Sequence, residues 1–402
     1  MKKVAVFSAH FPPHIVGGAE YSACQLARGL SARGYDVSVL STAPDVAMRG
    51  TFVDEVGGFD VFRVLMPRPY QAFNFAGQKT LDKIIWHTQD LVDPRNVKIW
   101  KDFISDNNPD VAFVHVPQGL GFNGLDALAR ANIPTIIVLH DLSLLCVKTS
   151  MFRDGHDCQK LCGECKFGSL FKIAALKRIK QLHIVSPSQA NLDQFLRISG
   201  IVPASASVII NPNEYPRPTV AQVNRARIKL RLLYVGQISA IKGVDFLIGA
   251  ILSAKLIDRV ELRVVGSGRD LEQLRLKYAK QTAISFSGHV SQQEVANAMA
   301  SADILCVPSL WRENSPGVVI QALQIGLPVF ASRTGGIPEL VRDGIDGKLL
   351  RPGDENDWSE SISSIIKDPG VLDLYRRKIR DSSDRFSASQ SVNSYIDLIE
   401  KL

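Results

Sequence analysis

The stretch PSLWRENSPGVVIQALQIGLPVFAS, Pro308 to Ser332, decides how this chain is read. It starts at the end of one short apolar strand, DILCVPS, and finishes in another, LPVFAS, with helical periodicity between them. Ser315-Pro316 offers a cap residue followed by a first-turn proline, so a helix is expected to begin near Ser315. Glu313 stands eight residues ahead of Gln321 across that start. At 1.5 Å per helical residue the two lie roughly 10 Å apart. The unpaired N–H groups of the helix N-terminus fall between them and favour a phosphate. A sugar hydroxyl at Glu313, a diphosphate at the helix start and a ribose near Gln321 would describe a nucleotide sugar. The plain alternative is a surface glutamate and a solvated helical glutamine.

The same alternation extends outward along the chain. Strands are expected at KVAVFSA, DVSVLST, VAFVHVP, TIIVLH, HIVSPS and SVIINP, then at RLLYVGQI, VELRVVG, ISFSG, DILCVPS and LPVFAS. Nearly continuous apolar strands separated by helical segments mean parallel sheets covered on both faces. Ser291 with Glu294 makes a capping-box pattern. NPNEYPRPTV, residues 211–220, contains three prolines and separates the two series, so it reads as a linker. The expected fold is α/β, with two doubly wound Rossmann-like domains facing across a cleft. Residues 1–212 form an N-terminal acceptor-side domain with a cysteine-containing insertion at 146–165. Residues 213–385 form a nucleotide-sugar-binding domain, and a C-terminal helix, 386–402, crosses back to the first. In such sheets ligands sit at the carboxyl ends of the strands.

Composition sets the limits. A chain of 402 residues with 46% apolar and 22% charged residues is ordinary for two globular domains. The net charge of +7 is spread over both halves, with 22 basic against 18 acidic residues up to Pro212. That excludes a nucleic-acid-type basic domain and leaves a diffuse affinity for anionic ligands or lipid surfaces. No apolar run reaches the roughly 18 residues of a membrane span. MKKVAVFSAH reads as a first strand and not as a signal peptide. Six cysteines without an export signal suit a reducing compartment, so the protein is expected in the cytoplasm, including at the inner face of the membrane.

The Pro308–Ser332 stretch resembles the Glu-x7-Glu region of the retaining GT-B glycosyltransferases of family 4, the group 1 glycosyltransferases. ENSP, GLPVFAS and GGIPELVRDGIDGKLL follow in that family's order. PPHIVGGAE, LHD at residues 139–141, SPSQA, YVGQISAIKG, VVGSGRDLEQL and FSASQSVNSYIDL extend the resemblance over nearly the whole chain. The resemblance implies a nucleotide-sugar donor and a retaining transfer by front-face attack, without a protein nucleophile or a catalytic metal. Glu313, His140 and Lys242 would then carry the chemistry. Glu313 would hold the donor sugar near the reacting carbon, and Lys242 would neutralise the diphosphate leaving group. His140 would bond the donor sugar or the acceptor. Gly17 and Gly18 would lie by the donor phosphates, and Gly266 and Gly268 would flank the base. Asn314, Ser315, Pro316 and Gly317 would form the phosphate-side helix start. Gly335, Gly336 and Glu339 would mark a second helix start.

Two positions depart from the family pattern. Gln321 stands where a second glutamate is usual, and Gln237 stands where an arginine is usual. A carboxylate accepts two ribose hydroxyl bonds, whereas an amide accepts at one end and donates at the other. Arg312 and Arg333 are candidates to replace the missing charge.

LHDLSLLCVKTSMFRDGHDCQKLCGECK gathers Cys146, Cys158, Cys162 and Cys165, with His156 as a substitute ligand. That spacing can close a structural zinc site. Reduced or loosely paired thiols and an iron–sulfur centre are the alternatives. Cys24 and Cys306 read as core. The following KFGSLFKIAALKRIKQLH mixes Lys166, Lys172, Lys177, Arg178 and Lys180 with Phe167, Leu170, Phe171, Ile173, Leu176 and Ile179. A basic amphipathic helix at 166–181 can make peripheral contact with an anionic membrane, where lipid-linked acceptors lie. An ordinary domain helix with a solvated basic face is the alternative.

The sequence thus points to a glycosyltransferase that moves a sugar from GDP-mannose or a UDP-sugar to a saccharide or lipid-linked saccharide in cell-surface polysaccharide assembly. A non-catalytic nucleotide-sugar-binding protein of the same fold and a nucleotide-sugar epimerase are the competing readings.

Overall fold

The computed structural model describes residues 2–14, 17–75, 77–153, 155–220 and 229–402. Ile15 and Val16 of PPHIVGGAE lie outside the described residues. The chain divides into two units. The first comprises Met1–Met151, Cys158–Asn213 and Ala388–Leu402, and the second Phe152–Asp157 and Glu214–Ser387. The stretch expected to be one insertion at 146–165 is therefore divided, with 152–157 grouped in the second unit.

In the first unit the strands are Lys3–Ser8 (β1), Asp36–Thr42 (β2), Gly50–Val53 (β3), Asp60–Val64 (β4), Val111–Val116 (β5) and Thr135–Val138 (β6). Two further strands follow the short hairpin Phe152–Arg153 (β7) and His156–Asp157 (β8), namely Leu182–Ser186 (β9) and Ser205–Val208 (β10). Their sheet has the order β10-β9-β6-β5-β1-β2-β4-β3, parallel except where β3 runs against β4. Alternation along β1 explains why both faces are covered. Val4 and Val6 join one core with Leu26, Val392 and Tyr395, while Ala5 and Phe7 join another with Trp100 and Phe122. Phe7 stacks on Trp100 at 4.2 Å between centroids. Each large side chain so buried stabilises the fold by roughly 1.5–3 kcal/mol. The C-terminal helix, Ala388–Ile399, packs Val392 over Gly29 of the Gly18–Ser31 helix and belongs to this unit.

In the second unit, Leu230–Val235 (β11), Val260–Val265 (β12), Ile284–Gly288 (β13), Ile304–Val307 (β14), Val329–Ser332 (β15) and Gly347–Leu350 (β16) form one parallel sheet. Its order, β13-β12-β11-β14-β15-β16, reverses direction between β11 and β14. At that point connections leave to opposite faces and open a crevice beyond the carboxyl ends of both strands.

The sequence reading left out β3, β4 and β16 and put SVIINP where the strand is Ser205–Val208. The cause is physical: β3 is exposed throughout, β4 alternates with polar residues, and β16 begins Gly-Lys, so none is a continuous apolar run.

Candidate functional site

The loops after β11 and β14 meet at the second unit's switch point. β11 leads into Gly236–Gln237 and then to Lys242, just ahead of the Val244–Ser253 helix. β14 leads through Ser309 and Trp311 to Glu313, which is buried at 8% exposure. One oxygen of Glu313, Oε1, accepts three hydrogen bonds: from Lys242 Nζ at 2.7 Å, Ser309 Oγ at 2.6 Å and Trp311 Nε1 at 3.0 Å. The Lys242 ammonium also stands 4.8 Å from the centre of the Trp311 ring. Charge-assisted bonds of this kind fix both side chains in position. Burial, and then the negative charge of Glu313, hold the Tyr234 phenol above its ordinary range. Tyr234 donates to the Gln237 carbonyl at 2.7 Å and thereby ties that loop down.

Close backbone approaches fasten the remaining loops around Glu313. Gly336 N donates to the Glu313 carbonyl at 2.8 Å, and a β-carbon on Gly335, at φ +55°, would lie 2.0 Å from the same oxygen. A β-carbon on Gly266 would lie 1.9 Å from the Gly236 carbonyl oxygen, and Ile238 N donates to Ser267 O at 2.8 Å. Only glycine permits such contacts. Lys242, Glu313, Gly335 and Gly336 are therefore brought together, and Gly266 and Gly268 lie against the Gln237 loop.

Several expectations are corrected here. The helix runs Gly317–Gln324, with Pro316 at the N-cap and no side-chain cap. Ser315 thus stands one residue too early to cap it, and its Oγ is buried without a partner among the described residues. Gln321 is not solvated: it is 2% exposed, and its Nε2 has no partner among the described residues. Gln237 and Glu339 present exposed side chains, and Asn314 is half-buried. Of the two arginines considered as replacements, Arg312 pairs with Asp157 at 3.6 Å and Arg333 with Asp343.

In the first unit, Gly17 caps the Gly18–Ser31 helix, and its N donates to Glu20 Oε2 at 2.9 Å. Glu20 Oε1 lies 3.4 Å from His10 Nδ1. Burial would raise the Glu20 carboxyl, but the neighbouring His10 ring and the backbone bonds, that from Gly17 N–H among them, outweigh it and hold it below the ordinary range. His140, just past β6, meets His115 of β5, Nε2 to Nδ1, at 2.8 Å. Burial pushes the His140 imidazole down to about 4, and burial with the neighbouring ring pushes His115 lower than usual as well. The pair is neutral at pH 7 and shares one proton across this contact. His115 Nε2 has no partner among the described residues. A bare buried nitrogen costs less than a buried orphan N–H, which favours the proton on His115 Nδ1 with His140 Nε2 accepting. Sequence reasoning missed His115, Ser309, Trp311, His10 and Glu20. The available signal was that the two histidines end adjacent buried strands and that Ser309 ends DILCVPS.

All six cysteines are free thiols. Cys165 hydrogen-bonds with Cys162 and Cys146, and burial pushes its thiol up to about 12. Among the described residues no group of three or more His, Cys, Asp or Glu is arranged to hold a metal ion. Cys158 packs against the same core, while His156 is exposed. In the basic helix, Lys172 is buried and donates to Ser143 O at 2.6 Å, so it does not join a solvated face. No helix among the described residues is long and apolar enough to cross a membrane.

The phosphatidyl-myo-inositol mannosyltransferase of Mycobacterium leprae is 26% identical over 90% of this chain and 87% of its own. Sucrose-phosphate synthase from Thermosynechococcus elongatus superposes with a TM-score of 0.74 at 19% identity, covering 100% of both chains. Anabaena HepE in complex with UDP and glucose superposes at 0.71 and 18% identity, again over 100% of both. At such identities the structural likeness is one of fold, here the GT-B architecture. Residues 16–213 match the model described as Glycosyltransferase Family 4, and residues 229–368 match Glycosyl transferases group 1. With each unit accounted for, the chain belongs to the group 1, family 4 glycosyltransferases.

Proposed function

We propose that the protein transfers a sugar from a nucleotide sugar to a hydroxyl of a saccharide or lipid-linked saccharide in polysaccharide or glycolipid assembly. The observation that carries this reading is the Lys242–Glu313 pair at the second unit's switch point, ahead of the helix that starts at Gly317. The donor diphosphate would take the Lys242 ammonium and the free N–H groups of that helix. Glu313 would exchange Lys242 for hydroxyls of the donor sugar. As the bond from the anomeric carbon to the phosphate breaks, charge grows on the leaving oxygens, where a fixed cation and aligned N–H groups stabilise it. His140, neutral at pH 7, would hydrogen-bond the donor sugar or the acceptor. The transfer would retain the anomeric configuration, by front-face attack of the acceptor hydroxyl, and would proceed without a metal.

HepE is described with UDP, glucose and UDP-glucose, which favours a uridine donor. The mycobacterial relative is a mannosyltransferase, which keeps GDP-mannose in view. A thermal-shift panel of UDP, GDP, ADP and dTDP, with their sugar conjugates, tests the donor. A rise of several degrees for one base is expected, and none for any would overturn the reading. With a donor found, the anomeric configuration of the product by NMR tests retention, and turnover in a chelator tests metal independence. A second reading, a non-catalytic binder of the same ligands, is favoured by Gln321, an amide where a carboxylate is usual, whose buried Nε2 has no partner among the described residues. Gln321→Glu separates the two: a gain in turnover supports the enzyme, and a persistent zero supports the binder.

A further inference from the structure

Lys242 and Glu313 hold each other at 2.7 Å, yet the transfer proposed above calls on each of them separately, the ammonium for the diphosphate and the carboxylate for the sugar. Glu313 is 8% exposed, and a carboxylate so buried is costly once its cation leaves unless other donors stay. Two do. Ser309 Oγ at 2.6 Å and Trp311 Nε1 at 3.0 Å both reach Oε1, the same oxygen that Lys242 takes. Among the described residues nothing donates to Oε2. The carboxylate therefore has one oxygen held by the protein and one left for a ligand.

The backbone fixes this arrangement from both sides. Ile241 and Gly243 flank Lys242, while Pro308 and Leu310 flank Ser309. Leu310 N donates to the Ile241 carbonyl at 2.8 Å. A β-carbon on Gly243, at φ +76°, would lie 1.9 Å from the Pro308 carbonyl oxygen, an approach that only glycine allows. The loops after β11 and β14 are thus fastened on either side of the ammonium and the hydroxyl. Trp311 then meets the two charged partners with different parts of its ring. Its N–H edge donates to Glu313, and its face lies 4.8 Å from the Lys242 ammonium. The attraction of a cation to an indole face tolerates a shift across that face, whereas an N–H···O bond is directional. The ring can therefore let the ammonium move while it keeps the carboxylate still.

Resting on that reading of the site, we propose that Trp311 and Ser309 are positioning residues for the transfer. They hold Oε1 of Glu313 in place when the donor diphosphate draws Lys242 away, and so aim Oε2 at a hydroxyl of the donor sugar. Sugar hydroxyls take Oε2 and the place that Lys242 leaves.

Titration calorimetry of the full chain with UDP and GDP, and with UDP-glucose and GDP-mannose, tests this. Only the conjugates carry sugar hydroxyls for Glu313, so comparison within one base isolates its contribution. Trp311→Phe keeps a ring beside Lys242 and removes the N–H. Its affinity for the conjugate is expected to fall about tenfold or more, and for the diphosphate by no more than about threefold. Ser309→Ala removes the other donor with little change of volume and should do the same. In Trp311→His the imidazole Nε2–H can take the place of the indole N–H, which should restore conjugate affinity to within about threefold of wild type. A Trp311→Phe or a Ser309→Ala variant that binds the conjugate like the wild type overturns the proposal. So does equal weakening of conjugate and diphosphate, the mark of a loop that has only come loose, and so does a Trp311→His variant as weak as Trp311→Phe. A wild type that binds none of the four ligands overturns the donor reading and this role with it. Wild-type binding that the variants leave intact overturns the positioning role alone.

Discussion

Replacing Gly335 by alanine would place a β-carbon 2.0 Å from the Glu313 carbonyl oxygen and 2.8 Å from Glu313 N. Both are backbone atoms, so no rotamer change relieves the clash. The φ of +55° adds strain of roughly 1–2 kcal/mol for a residue with a side chain. Separating the loops forfeits the 2.8 Å bond from Gly336 N to that same carbonyl, worth about 1 kcal/mol. Residual repulsion brings the expected loss to about 2–4 kcal/mol. For a unit of this size that lowers the melting temperature by roughly 4–16 °C. Gly344→Ala is the control: its φ is +72°, yet nothing lies within 4 Å of the added carbon. It bears the conformational strain alone and should fall by only about half as much, roughly 2–8 °C. Calorimetry of both variants gives the comparison, and nucleotide-induced stabilisation should weaken only in Gly335→Ala. Equal melting temperatures, with Gly335→Ala still binding nucleotide normally, would refute the clasp around Glu313.

Other consequences follow from the same geometry. Glu313→Ala leaves the Lys242 ammonium, Ser309 hydroxyl and Trp311 N–H without their shared acceptor. Initial rates should fall on the order of a hundredfold or more, with thermal shift still reporting nucleotide binding. Gln321→Leu removes a buried amide nitrogen that has no partner among the described residues, so the melting temperature without ligand should move by no more than about 2 °C. Nucleotide affinity, by titration calorimetry, should weaken on the order of tenfold. One part of the pH dependence comes from His115 and His140, both held below an ordinary imidazole, His140 at about 4. Between about pH 6.5 and 4 the unfolded chain binds more protons than the folded one, so the first unit loses stability as pH falls through that range. The slope is up to about 1.4 kcal/mol per pH unit for each imidazole, and the pair adds none above pH 6.5. Acid unfolding of His115→Phe should be measurably flatter.

The fold was legible wherever a strand lies in the middle of a parallel sheet. β1, β5, β11 and β14 are buried on both faces, so each is a short apolar run that needs no partner to be recognised. Strands β3, β4 and β16 lie toward the sheet margins, where one side meets water and polar residues interrupt the run. The capping box at Ser291 was readable because both of its members lie within one turn. Ser315 was misread because local pattern does not say which residue actually starts the turn.

The sequence by itself determined the two doubly wound units, the position of Glu313 between a strand and the helix that follows, and the order of motifs that places the chain in its family. These depend on spacing along the chain, and spacing survives without coordinates. Only the tertiary structure decided which way side chains face. It joined Glu313 to Lys242, Ser309 and Trp311, set His115 against His140, buried Lys172, and turned Leu81 and Phe167 outward. A helix repeats every 3.6 residues whichever side is packed, so its periodicity marks a stripe without naming what covers it. That choice belongs to neighbours distant in sequence, and only the folded chain brings them into contact.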